Sequence, residues 1–320
     1  FTGQDFTGYY QRLEADKLEL SFKMESDRMQ NLLLNEDEFK KEIEVIKEER
    51  RMRTDDKPQA KTQEIFNAAA WMLSPYGVPI IGWMNDLDNM KIDQLAAWYK
   101  RWYAPNNATV VVAGDVIPED VYKLAKKYFG KLKAEKISPP NSISEVEQYG
   151  IKRVVIKRPA EIPHILMAYK IPALRTTLVE SAIIEQWEPY ALEVLAGVLD
   201  GGSSARFASR LVRGKEIASN VGAGYPLTSR LDGLFTLSGT PAQGKTTDEL
   251  EIAIRQELTD LQNNPVSEQE LERVKAQVVS SDIYEKDSVF YQGMILGMLE
   301  TVGLSWTIVD EYVDRVKAVT

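Results

Sequence analysis

Glu38-Phe39-Lys40-Lys41-Glu42-Ile43-Glu44-Val45-Ile46-Lys47-Glu48-Glu49-Arg50-Arg51-Met52-Arg53 reads as one amphipathic helix with two acids on the apolar side. At about 100° per residue, Phe39, Ile43, Val45, Ile46 and Met52 share one broad arc, which a globular protein turns inward. Glu44 and Glu48 fall opposite, with Lys40, Lys41, Lys47 and Arg51. Glu42 and Glu49 fall inside the apolar arc, one nearly above the other, because seven residues make almost two turns. A carboxylate on a buried face is costly unless a cation, a metal or hydrogen-bond donors meet it. Roughly 10 Å of helix axis separates the two acids, too far for one ion to bind both. One can ligate a metal while the other supports it. Arg50 and Arg53 lie at the edge of the same arc, and an inward acid in a basic neighbourhood is more often half of an ion pair. The residues alone leave both readings open.

Around this helix the chain alternates helical and extended patterns. Thr7–Leu13 reads as a short strand and Asp16–Leu34 as an amphipathic helix. Asn35 is a candidate N-cap, followed by Glu36, Asp37 and Glu38 where the helix dipole favours anions. Pro58 marks a boundary, Gln63–Leu73 is helical, and Ser74-Pro75-Tyr76-Gly77-Val78-Pro79 is a turn. Lys91–Tyr103 is a helix with Trp98 and Trp102 on one face, Ala108–Gly114 a buried strand, and Glu119–Phe129 a helix after Pro118. Residues 136–149 have a linker composition, so the domains are expected at 1–135 and 150–320. The second half supplies strands at Arg153–Ile156, His164–Tyr169 and Leu234–Gly239. Its helices are Pro189–Leu199, Thr247–Leu261 and Ser267–Tyr284, the last opened by a Ser267/Glu270 capping box. Each half is thus expected to be an α/β sandwich with helices packed on a sheet.

The 320 residues are 44% hydrophobic and 27% charged, an ordinary globular balance. A net charge of −9 argues against a general nucleic-acid binder, which needs a basic surface. The absence of cysteine excludes disulfides, thiolate zinc sites and a cysteine nucleophile, and fits cytosol and periplasm equally. No run approaches the roughly 20 apolar residues of a membrane span. His164 is the sole histidine, whereas hydrolytic zinc sites mostly use two or more histidines or thiolates.

Several segments together resemble the M16 metallopeptidases (pitrilysin, mitochondrial processing peptidase). They are Phe1-Thr2-Gly3-Gln4-Asp5-Phe6-Thr7-Gly8-Tyr9-Tyr10, the Glu42–Arg53 helix, and Ser74-Pro75-Tyr76-Gly77 with Pro79-Ile80-Ile81-Gly82. Tyr103-Ala104-Pro105-Asn106-Asn107-Ala108, Gly201-Gly202-Ser203-Ser204-Ala205-Arg206 and Gly222-Ala223-Gly224-Tyr225 extend the match over nearly the whole chain. The resemblance implies an α+β fold: two related α/β sandwich domains, the first truncated at its N-terminus and the second at its C-terminus. It implies a zinc-dependent endopeptidase acting on peptides inside an enclosed chamber, in a homodimer or heterodimer with another M16-type chain, in a bacterial periplasm or cytoplasm. The family's zinc is held by His-x-x-Glu-His and a later glutamate. The later glutamate matches Glu49, the supporting helix glutamate matches Glu42, and Glu48 is a solvent-facing neighbour. The His-x-x-Glu-His motif is expected before Phe1, so the chain reads as an excised piece without activity of its own. His164 matches nothing in the motif and is expected to be structural or exposed. Arg213 matches a substrate-gripping arginine of some members, but Ser219-Asn220 stand where its tyrosine partner belongs. The alternative that the resemblance allows is a non-catalytic M16-like subunit that supports a catalytic partner.

Overall fold

The computed structural model describes residues 1–138, 144–179, 182 and 184–320. The chain divides into two units, residues 1–159 and 160–320. The expected linker falls at the end of the first, with residues 139–143 outside the described residues.

The first unit is helical: α1 (Leu18–Gln30), α2 (Glu36–Arg50), α3 (Pro58–Ala70), α4 (Met84–Asn89), α5 (Ile92–Trp102) and α6 (Pro118–Tyr128). Pro58 and Pro118 each occupy a first-turn position, where a missing N–H costs nothing. α1 packs on α6 through Phe22 and Phe129, rings edge-to-face with centroids 6.0 Å apart. α1 is shorter than expected, closing at Asn31, whose amide caps Asp27. Trp98 and Trp102 share a face of α5, ring centroids 5.7 Å apart.

Three strand expectations fail. Thr7–Leu13 contributes a single bridge, Thr2 to Thr7. Residues 108–114 and 153–156 join no strand, and Val110 and Val155 are exposed. β-branched runs supply propensity, but a strand needs a neighbour for its backbone hydrogen bonds, and no described segment provides one. The first unit is therefore no α/β sandwich among the described residues.

The second unit has the expected layering. β1 (Ile165–Ile171), β2 (Ala218–Gly224) and β3 (Gly233–Pro241) form an antiparallel sheet in the order β1-β3-β2. β1 pairs with β3 from Ile165 opposite Gly239 to Ile171 opposite Gly233. Alternate β3 residues, Phe235 and Leu237 among them, face a core with Val221, Leu250 and Ile254. Helices α7 (Leu174–Thr177), α8 (Glu188–Asp200), α9 (Thr247–Asn263), α10 (Glu268–Glu285), α11 (Val289–Val302) and α12 (Ile308–Lys317) complete it. Thr246 and Glu249 form a full capping box for α9. α10 has half of one: Ser267 accepts from the Glu270 N–H, but the Glu270 carboxylate goes to Arg206. No described helix is long and apolar enough to cross a membrane.

Candidate functional site

α2 starts as its sequence dictates. The Asn35 side-chain oxygen accepts from the N–H groups of Asp37 (2.8 Å) and Glu38 (3.2 Å). Its buried stripe is Ile43 and Arg50, flanked by half-buried Phe39 and Ile46. Arg50 is only 2% exposed. Its guanidinium grips Glu64 with both terminal nitrogens, Nη1 to Oε2 at 2.8 Å and Nη2 to Oε1 at 3.0 Å, and Nη1 also donates to the Gly82 carbonyl at 2.8 Å. Lys61 completes the cluster, donating to Glu64 at 2.7 Å and Asp55 at 2.9 Å. Burial pushes the Glu64 carboxyl up, but the bonds from Arg50 and Lys61 outweigh it and hold the group below its ordinary range. Directly after Arg50 the helix widens into a π turn, Arg51–Asp55, which brings Asp55 back to within 3.7 Å of Arg50.

This anchoring corrects the expected orientation of α2. Val45 and Met52, expected inside, are each 57% exposed. Glu42 is exposed and makes no ion pair among the described residues. The Glu49 side chain is 37% exposed, with Oε1 2.7 Å from Arg53 Nη1. The two acids are therefore not turned inward. The wheel weighed apolar side chains alone, whereas the two-pronged Arg50–Glu64 pair rotates the helix so that a guanidinium fills its inner side. Glu42, Val45 and Met52, with half-buried Glu49 beside them, instead form one largely uncovered face that mixes acids with apolar groups. Glu48 pairs with Arg51 at 2.9 Å, with both side chains exposed, as its place on the wheel implied.

The residues present do not fit a zinc ion by themselves. Among the described residues no group of three histidine, cysteine or acidic side chains is placed to hold a metal. His164 stands before β1 in the second unit, half-buried, with Nδ1 3.4 Å from the Thr240 hydroxyl. Burial lowers its pKa. Arg213 lies in a second π segment, Phe207–Gly214, and donates to the Ser203 carbonyl at 2.6 Å. It thereby fastens the Gly201–Arg206 loop to the segment. The Arg50–Glu64 pair was not anticipated. Its one sequence signal was an arginine lying on the apolar arc.

A family profile described as "Peptidase M16 inactive domain" matches residues 89–278. The zinc protease PqqE of Helicobacter pylori is 30% identical over 278 residues, 86% of this chain and 60% of the relative. An uncharacterized zinc protease of Mycobacterium leprae is 31% identical over 242 residues, 75% of this chain and 50% of the relative. The chain thus spans only half to three fifths of these relatives' length. Among solved structures, a protease from Helicobacter pylori superposes with a TM-score of 0.87 at 26% identity, covering 96% of this chain and 71% of that one.

Proposed function

The chain belongs to the M16 peptidase family, and from that membership we propose that the complete protein is a zinc-dependent endopeptidase acting on peptides in an enclosed chamber. In this reading α2 contributes to the metal centre. Glu49 is the ligand and Glu42 the supporting acid, and the remaining donors come from residues outside this chain. The observation that carries the reading is the uncovered face of α2. Two apolar side chains, Val45 and Met52, stand in water beside two acids on a helix whose other side is firmly anchored. Such a face is suited to a further segment packed against it. Glu49 must exchange Arg53 for the metal, at small cost because the pair is solvent-exposed. Arg213 is the proposed substrate contact, and a second M16-type chain the proposed partner. The chain by itself is proposed to be inactive.

The second reading is a non-catalytic subunit. Two observations favour it: the Glu49–Arg53 pair, and a matching profile whose own description is an inactive domain. Zinc content and chelator-sensitive cleavage of an unstructured peptide by the complete gene product separate the two. Stoichiometric zinc with cleavage supports the enzyme. A folded, metal-free and inactive product supports the subunit.

A further inference from the structure

The helical layer of the second unit buries an acid that no cation among the described residues neutralises. Glu193, on α8, has its Oε2 sealed from solvent without a hydrogen-bond partner. Its carboxyl is hydrogen-bonded to the Tyr312 hydroxyl of α12 and lies in the field of Asp282 on α10. α10 and α12 both pack on α8 and on each other. The α8–α10 approach is close: a Cβ at Gly197 would come within 2.7 Å of Val274 Cγ1. The cation nearest in sequence to Asp282 is committed. Lys286 Nζ lies 2.8 Å from Asp282 Oδ2 and donates to the Val309 carbonyl. Among the described residues, no other group acts on Glu193 with a positive charge. α11 brings Tyr291, the β2–β3 connection brings Tyr225 and Asp232, and Glu311 and Arg315 of α12 act on Tyr190. The π segment Phe207–Gly214 also packs on α8, and the arginines there and just before it go elsewhere: Arg206 to Glu270, Arg210 to Glu257 and Arg213 to Ser203.

We propose that Glu193 is a proton-operated latch: neutral, it lets α12 dock on α8 and α10, and on ionising it loosens that docking. An ionised Glu193 stands against Asp282 with one oxygen unsolvated and unbonded, which a buried carboxylate tolerates poorly. Swinging α12 outward admits water and relieves both penalties. Neutral, the carboxyl has lost its charge and still hydrogen-bonds Tyr312. Burial, reinforced by Asp282 and only partly offset by Tyr312, pushes the Glu193 carboxyl up to about 7, so the latch works near neutral pH.

The test is amide hydrogen exchange of the intact chain at about pH 6 and about pH 8, corrected for the intrinsic pH dependence of exchange. With the opened form titrating as an ordinary carboxylate, exchange across 308–317 is expected to rise about tenfold over that interval. Glu193→Gln is expected to abolish the rise. Asp282→Asn, which removes the opposing charge, is expected to move the midpoint of the rise to lower pH, and an unmoved midpoint overturns the latch. That second variant keeps the proposal testable should Glu193→Gln fail to fold. A rise that survives in Glu193→Gln, or one spread evenly over β1–β3 with no excess on α12, overturns the latch.

Discussion

Arg50 and Glu64 form a two-pronged ion pair in the interior of the first unit, joining the end of α2 to the middle of α3. Glu49 is the neighbour of Arg50, so this pair sets the direction in which the candidate metal-site helix presents its acids. Breaking such a pair from one side strands a buried charge, at a cost of about 3–5 kcal/mol. Glu64→Gln is expected to lower unfolding stability by that amount in urea titration. A loss below about 1 kcal/mol contradicts the anchoring role.

The two units are expected to answer pH in opposite directions. Glu64 is held below its ordinary pKa, so its contribution is present above the normal carboxylate range and lost as pH falls through its lowered value. Glu193 is raised to about 7, so its contribution is fully present below about 4.5 and declines as pH rises toward 7. Hydrogen exchange resolved by peptide checks this: protection in α2–α3 should weaken in acid, and protection in α12 toward neutrality. A uniform response of both units contradicts the assignment.

Gly239 lies on β3, where a Cβ would come 2.9 Å from Leu250 Cδ2 and 3.2 Å from the Asn220 carbonyl. Gly239→Ala is expected to destabilise the second unit by about 1–3 kcal/mol, read as a lower thermal midpoint. An unchanged midpoint shows that α9 yields there.

The chain as it stands is expected to bind zinc no more tightly than its Glu49→Gln variant. Calorimetry that finds tight, Glu49-dependent binding contradicts the view that the donors lie elsewhere. Chelator-sensitive peptidase activity in the purified chain does the same.

Local signals in the sequence proved reliable. Asn35 caps α2, Pro118 opens α6, and the strand expected at Leu234–Gly239 lies within β3. Interactions distant in sequence were not legible. Residues 108–114 have strand composition, but composition does not reveal whether a pairing partner exists. The rotation of α2 was set by Glu64, fourteen residues beyond Arg50, and no helical wheel contains that residue. Glu193 and Asp282 stand far apart in sequence, on helices whose packing alone brings them together. Glu42 and Glu49, which the wheel turned inward, are exposed and half-buried respectively.

The most direct test of the central claim is zinc content, measured together with peptidase activity, in the complete gene product and its Glu49→Gln and Glu42→Gln variants. The account predicts loss of zinc and activity with Glu49→Gln, and an activity loss of about 10–100-fold with Glu42→Gln. Full zinc and full activity in both variants would contradict it.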